Sequence, residues 1–205
     1  MRRCVIVGAG EIHSKIDVHS GDLVIAADGG FCHLRNAGIK PDVLIGDFDS
    51  LEDISEVSGI EIVKHPVEKD ETDMYLAYKL GCHRGCNEFY LYGGVGGRED
   101  HTFANYCLLL CAKNEKNQAY LIGNKSKTYV IKNEKISVCS APRSGISVFA
   151  FGAKAEGVNI KGLKYEAKNI TLHCDYPMGV SNSFTENGIG EISVDNGALL
   201  IIQEI

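Results

Sequence analysis

Two carboxylates separated by one residue, Asp47 and Asp49, follow the short apolar run Val43-Leu44-Ile45-Gly46. With Phe48 between them, both side chains point the same way if the segment is extended. Like charges held that close raise a carboxylate pKa unless a cation lies between them. One reading is therefore a divalent-metal site; the other is a solvated Asp-rich turn that also caps a following helix. A second acidic group, Lys69-Asp70-Glu71-Thr72-Asp73, precedes a helical pattern. There Thr72 or Asp73 is a helix cap, or Asp73 joins Asp47 and Asp49 on a metal while Lys69 meets a phosphate. Hard oxygen ligands of this kind suit Mg²⁺, which keeps waters and substrate phosphates in its shell. The third group is Gly93-Gly94-Val95-Gly96-Gly97-Arg98-Glu99-Asp100-His101. Bare glycine backbone and a helix N-terminus favour a phosphate, and Arg98 adds a forked, permanent charge. The segment lacks the Gly-Lys-Ser/Thr of a P-loop, and its plainer reading is a turn with Asp100 as N-cap. Asp28-Gly29-Gly30 is likewise a turn, or a carboxylate and open backbone beside a nucleotide.

The elements that must position these residues alternate. Strands are expected at Cys4–Val7, Leu23–Ala27, Val43–Ile45, Glu61–His65, Glu88–Tyr92 and Ala119–Ile122, and helices at Phe31–Ala37, Thr72–Leu80 and His101–Ala112. Gly38 and Gly81 stand where helix C-caps are expected. Such alternation predicts a Rossmann-like parallel sheet with flanking helices. In that arrangement the glycine- and charge-rich segments after the first five strands share one edge, where open α/β sheets bind ligands.

Beyond Gly123-Asn124-Lys125-Ser126-Lys127 the texture changes to short alternating runs without a helix. The expected organisation is an α/β domain over 1–123 and an all-β sandwich over 124–205. Asp195-Asn196-Gly197-Ala198 is the strongest hairpin signal.

Composition narrows the function classes. The 205 residues are 44% hydrophobic and 23% charged, ordinary values for a soluble globular protein. A net charge of −6 argues against nucleic-acid binding through a basic surface. No apolar run reaches the roughly 18 residues of a membrane span, and the run after Met1-Arg2-Arg3 is too short for a signal peptide. Eight scattered cysteines read as reduced thiols in the cytosol, with Cys4, Cys107, Cys111 and Cys139 in apolar stretches and expected to be buried. Cys82 and Cys86 have no second pair to complete a zinc site.

Taken in order, Asp-Gly-Gly (28–30), Pro-Asp-Val-Leu-Ile-Gly-Asp-Phe-Asp-Ser (41–50), Lys-Asp-Glu-Thr-Asp (69–73) and Gly-Gly-x-Gly-Gly-Arg-x-Asp-His (93–101) resemble the thiamine pyrophosphokinase family. Gly162–Glu166, Gly179–Asn182 and Gly197–Leu200 extend the resemblance through the β half. It implies transfer of pyrophosphate from ATP to the hydroxyl of thiamine, giving thiamine diphosphate and AMP, in a cytoplasmic homodimer with active sites at the subunit interface. It implies Mg²⁺ on Asp47, Asp49 and Asp73. It places Asp28, Gly29, Gly30, Lys69, Thr72, Gly93, Gly94, Gly97, Arg98, Asp100 and His101 around ATP, and Ser181 and Asn182 at thiamine. Asp70 and Asp73 are candidates for general base, although a metal-bound alcohol needs little help. Positioning and charge neutralisation, the main demands of phosphoryl-type transfer, match these residue types. Rival readings are a metal-dependent phosphotransferase or hydrolase acting on another alcohol or nucleotide, and a non-catalytic thiamine or nucleotide sensor.

Overall fold

The structure is a computed structural model and describes residues 1–46, 59–64 and 70–205. It divides into two compact units, Met1–Asn124 and Lys125–Ile205.

In the first unit six strands lie parallel: β1 (Arg3–Val7), β2 (Leu23–Ala27), β3 (Val43–Gly46), β4 (Glu61–Lys64), β5 (Glu88–Tyr92) and β6 (Gln118–Ile122). Their order is β6-β5-β1-β2-β3-β4. The chain thus builds outward from β1 in one direction and returns through β5 in the other. That reversal makes the gap beyond the ends of β1 and β5 a topological switch point.

The central strands are apolar throughout because both faces are covered. Val5, Val7, Val24, Ala26 and Leu44 pack with Phe31 and Leu34 of α1 (Gly30–Asn36). On the other face, Tyr78 of α2 (Asp73–His83) packs against Phe89 with the rings tilted by 59° and their centroids 4.7 Å apart. Alongside lies α3 (Glu99–Asn114), which packs on β6 and α2.

Three expectations need correction here. Gly81 lies inside α2, where a Cβ would meet the Phe89 ring at 2.7 Å; the helix ends at Arg84, followed by Gly85 at φ 81°. Gly38, at φ 69° just after α1, does fill its expected place. Asp100 is not the N-cap of α3; Arg98 holds that position, and Asp100 sits in the first turn. Of the cysteines expected to be buried, only Cys4 is. Cys107 and Cys139 are exposed and Cys111 is intermediate; all eight are free thiols.

The second unit has no helix among its residues. One antiparallel set orders β12 (Asn182–Ser183), β9 (Gly145–Ala150), β14 (Ala198–Glu204) and β7 (Ser126–Lys132). The other orders β11 (Ala167–His173), β10 (Lys154–Lys161), β13 (Ile189–Ser193) and β8 (Lys135–Cys139). Inward residues of both sets share one core, including Ile146, Val148 and Ile201 from the first and Val158, Leu172 and Ile192 from the second. The Asp195–Ala198 turn corrects the hairpin reading. It leads from β13 to β14, which belong to different sheets, and Asn196 is held by backbone bonds to Glu156 (2.8 and 3.1 Å). Pairing to β10 takes the place of pairing between the turn's own flanks.

Candidate functional site

At the switch point, two glycine segments cross backbone to backbone. Gly8 N–H donates to the Tyr92 carbonyl at 2.8 Å, and Gly10 N–H donates to the Gly93 carbonyl at 2.9 Å. A Cβ on Gly10 would stand 2.5 Å from that carbonyl oxygen, and one on Gly93, at φ 64°, would press into the Gly8 carbonyl. Only glycine permits so close an approach in that conformation.

The crossing forms one wall of a cavity of about 430 Å³. Gly93, Gly94, Gly96, Gly97, Arg98 and His101 line it from the β5–α3 side, Thr72, Asp73 and Met74 from the start of α2, and Asp28 from the end of β2. Among the described residues, no acceptor is bonded by the backbone N–H groups of Gly94, Val95, Gly96 or Gly97. The N-termini of α2 and α3 open on the same space, adding partial positive charge from their unpaired N–H groups. Thr72 caps α2, its Oγ1 accepting from Tyr75 N–H at 3.2 Å. The cavity therefore combines fixed hydrogen-bond donors with the carboxylates of Asp28 and Asp73, a combination suited to a polyphosphate accompanied by a hard cation.

Other residues singled out in the sequence stand apart from this wall. Gly29 caps α1, and Gly30 is buried with its Cα against the Val7 carbonyl, so it serves close packing of α1 on β1. Asp70 is exposed. Asp100 is exposed and receives two bonds from Arg98, Nη2 at 2.6 Å and Nε at 3.2 Å. The guanidinium holds the Asp100 carboxyl below its ordinary pKa, while Asp100 raises that of Arg98. Asp100 thus orients the fork of Arg98 beside the loop. Asp47, Asp49 and Lys69 lie outside the described residues. No cluster of three His, Cys, Asp or Glu side chains suited to a metal occurs among the described residues. Asp28 and Asp73 nevertheless present the oxygen donors a hard cation takes.

In the second unit, Ser181 has φ 60° and its N–H donates to Ser147 Oγ at 3.1 Å. Asn182 is 7% exposed, and both ends of its amide are engaged. Oδ1 accepts from the N–H groups of Tyr165 and Ser183, both at 2.9 Å, and Nδ2 donates to the Tyr165 carbonyl at 2.7 Å. Both backbone groups of Tyr165 are thus clamped while the residue stays 60% exposed.

Gly8 and Gly10 line the cavity from the segment after the first strand, which was expected at the ligand edge, whereas Glu11, Met74 and Asn105 were not foreseen. Gly8-Ala9-Gly10 carried a signal, a Gly-x-Gly directly after the first strand. Asn105 carried a weaker one, a single amide within an otherwise apolar helical spacing.

Comparison with known proteins gives the family. A model of the thiamin pyrophosphokinase catalytic domain matches residues 17–121, more than half of the chain, and one of the thiamin pyrophosphokinase vitamin B1 binding domain matches residues 128–199. A thiamine pyrophosphokinase of Bacillus subtilis is 25% identical over 186 residues, 88% of this chain and 86% of that one. The crystal structure of thiamine pyrophosphokinase from Bacillus subtilis superposes with a TM-score of 0.89 at 24% identity, covering 99% of each chain. That of the Geobacillus thermodenitrificans protein gives 0.87 at 25% identity, covering 99% of this chain and 97% of the other.

Proposed function

Because the chain belongs to the thiamine pyrophosphokinase family, we propose that it moves the terminal pyrophosphate of ATP to the hydroxyl of thiamine. The observation that carries the reading is the switch-point cavity, where glycine N–H groups with no acceptor among the described residues and two helix N-termini share a space with Asp28, Asp73, Arg98 and His101. The α/β unit, of the Rossmann-like type, takes Mg-ATP. The β unit, a sandwich by its shared core, takes thiamine.

In the reaction the thiamine oxygen forms a bond to the β-phosphorus while the bond from that phosphorus to the α-phosphate oxygen breaks, so AMP departs. The loop 93–97 and the start of α3 hold the polyphosphate oxygens, and Arg98 swings from Asp100 to the anion. Thr72 fixes the start of α2, which carries Asp73 and lies next to Lys69 in sequence. Asp47, Asp49 and Asp73 would hold Mg²⁺, which supplies charge neutralisation on the transferred group. A carboxylate, Asp70 or Asp73, takes the hydroxyl proton; of the two, Asp73 lines the cavity. Asp28, with Gly29 and Gly30 behind it, borders the nucleotide from the β2 side.

On the thiamine side, Ser181 and Asn182 act through placement: Asn182 fixes Tyr165, whose exposed ring offers a π face to the cationic thiazolium. Lys164 Nζ already lies 5.1 Å from the centroid of that ring. A cytoplasmic homodimer, with active sites completed at the subunit interface, belongs to the same reading. Exposed Tyr176, Met178 and Val180 offer apolar surface for a second copy to cover.

The test is incubation with thiamine and Mg-ATP, with AMP and thiamine diphosphate expected in equal amounts. ADP as product points to another phosphotransferase, binding of both ligands without turnover points to a sensor, and either result overturns the proposal. Asp47→Asn and Asp49→Asn are expected to abolish turnover with the fold intact; near-normal rates would remove them from the metal site.

A further inference from the structure

Asn105 is 5% exposed, lines the cavity from α3 and stands one helical turn beyond His101. Its Nδ2 donates to the Gly94 carbonyl at 2.8 Å. A carbonyl only accepts, so this bond fixes which end of the amide meets it. Gly94 is held on the other side as well. A Cβ there would lie 2.7 Å from Leu121 Cδ1 and 2.9 Å from Asn105 Nδ2. The glycine loop is therefore seated between β6 and α3 at one residue, while the N–H groups of 94–97 have no acceptor among the described residues.

We propose that Asn105 is the positioning residue of the phosphate loop. By engaging the Gly94 carbonyl, it keeps that acceptor turned to α3 and out of the space a polyphosphate needs, and it presets the adjoining N–H groups as donors. The physical ground is twofold. A carbonyl oxygen released into the cavity would carry partial negative charge toward an anion. A loop free to rearrange would have to be ordered each time the anion binds, whereas donors fixed in advance need no reorganisation. The need for a buried donor, rather than for bulk, distinguishes Asn105 from its apolar neighbours Leu108 and Leu109 on the same helix.

The proposal rests on the reading of the cavity as the nucleotide site. Two variants with the same number of side-chain heavy atoms remove the donor. Asn105→Leu is apolar; Asn105→Asp keeps acceptors but, once ionised, offers no donor. Binding of Mg-ATP alone, followed by calorimetry, is expected to weaken about tenfold in each, the scale of one buried hydrogen bond and its unsatisfied partner. In steady state the KM for Mg-ATP is expected to rise by the same factor, with the KM for thiamine unchanged. A purely packing role would instead lower the melting temperature and spare nucleotide affinity in whichever variant folds. Wild-type affinity for Mg-ATP in either folded variant, or equal rises in both KM values, overturns the assignment. Failure of the wild-type protein to bind Mg-ATP overturns the nucleotide reading itself.

Discussion

Substituting Gly93 by alanine tests the crossing of the two glycine segments, and its effect follows from the geometry. Gly93 has φ 64°, where a Cβ costs about 1–2 kcal/mol. That Cβ would also press into the Gly8 carbonyl and come within 3.1 Å of the Gly10 carbonyl. Relief requires the segments to part, which breaks Gly8 N–H to Tyr92 O and Gly10 N–H to Gly93 O, worth about 1 kcal/mol each. The sum is about 3–4 kcal/mol, or about 10 °C in melting temperature for a chain of this size. Displacement of the cavity wall is expected to lower kcat/KM about a hundredfold. Gly96→Ala supplies the control. Gly96 has φ 87° but nothing within 4 Å of its Cβ, so only the conformational cost of about 1–2 kcal/mol applies. Thermal unfolding followed by circular dichroism, together with initial rates at varied Mg-ATP, measures both variants. Equal melting temperatures for the two would refute the argument, because the contact with Gly8 would then count for nothing.

Thr72→Ala removes the cap of α2 and is expected to cost about 1 kcal/mol, with Thr72→Ser close to wild type in the same thermal assay. Glu115 accepts from Lys79 Nζ at 2.9 Å and Tyr78 Oη at 2.7 Å, and these bonds hold its pKa below the ordinary carboxylate value. Its contribution is therefore complete above that ordinary value and is lost as pH falls through the lower, folded-state one. The melting-temperature gap between wild type and Glu115→Gln should accordingly be widest near neutrality and close in acid; a gap that widens in acid would contradict the assignment. Asn182→Ala frees both backbone groups of Tyr165. A KM for thiamine raised about tenfold, with that for Mg-ATP unchanged, is the expected kinetic result.

Strand positions in the first unit were legible because strands covered on both faces, such as β1 and β2, read as continuous apolar runs; in the second, the alternating texture was legible where strands such as β9 and β13 have one face in the core. Helix ends were less so. Gly81 has the composition of a C-cap, but its missing side chain serves the approach of α2 to Phe89, a partner eight residues later on another element. Gly85 supplies the positive φ instead. The Asp-Asn-Gly turn misled for a related reason. A hairpin signal reports that the chain reverses, not which strands it reverses between, and Glu156 claims the turn's backbone for β10.

Residues lining the cavity from the β5–α3 loop and the start of α2 were legible, and those that support them were opaque. Gly93, Arg98 and Thr72 have identities that local rules explain: bare backbone, a forked cation, a capping hydroxyl. Asn105 and Asn182 do not. Each is a buried amide whose importance comes from the backbone it bonds, Gly94 in one case and Tyr165 in the other. A polar residue at a buried position must find partners or incur the cost of lost hydration, so its presence could be flagged from periodicity alone. Which backbone it satisfies depends on long-range packing: Asn182 reaches across 17 residues, and Asn105 across 11. The two amides do for their separate loops what a cap does for a helix, turning otherwise adaptable backbone into fixed geometry. Substitutions at either position should therefore act first on the affinity for the ligand its loop serves, and only second on the stability of the unit that contains it.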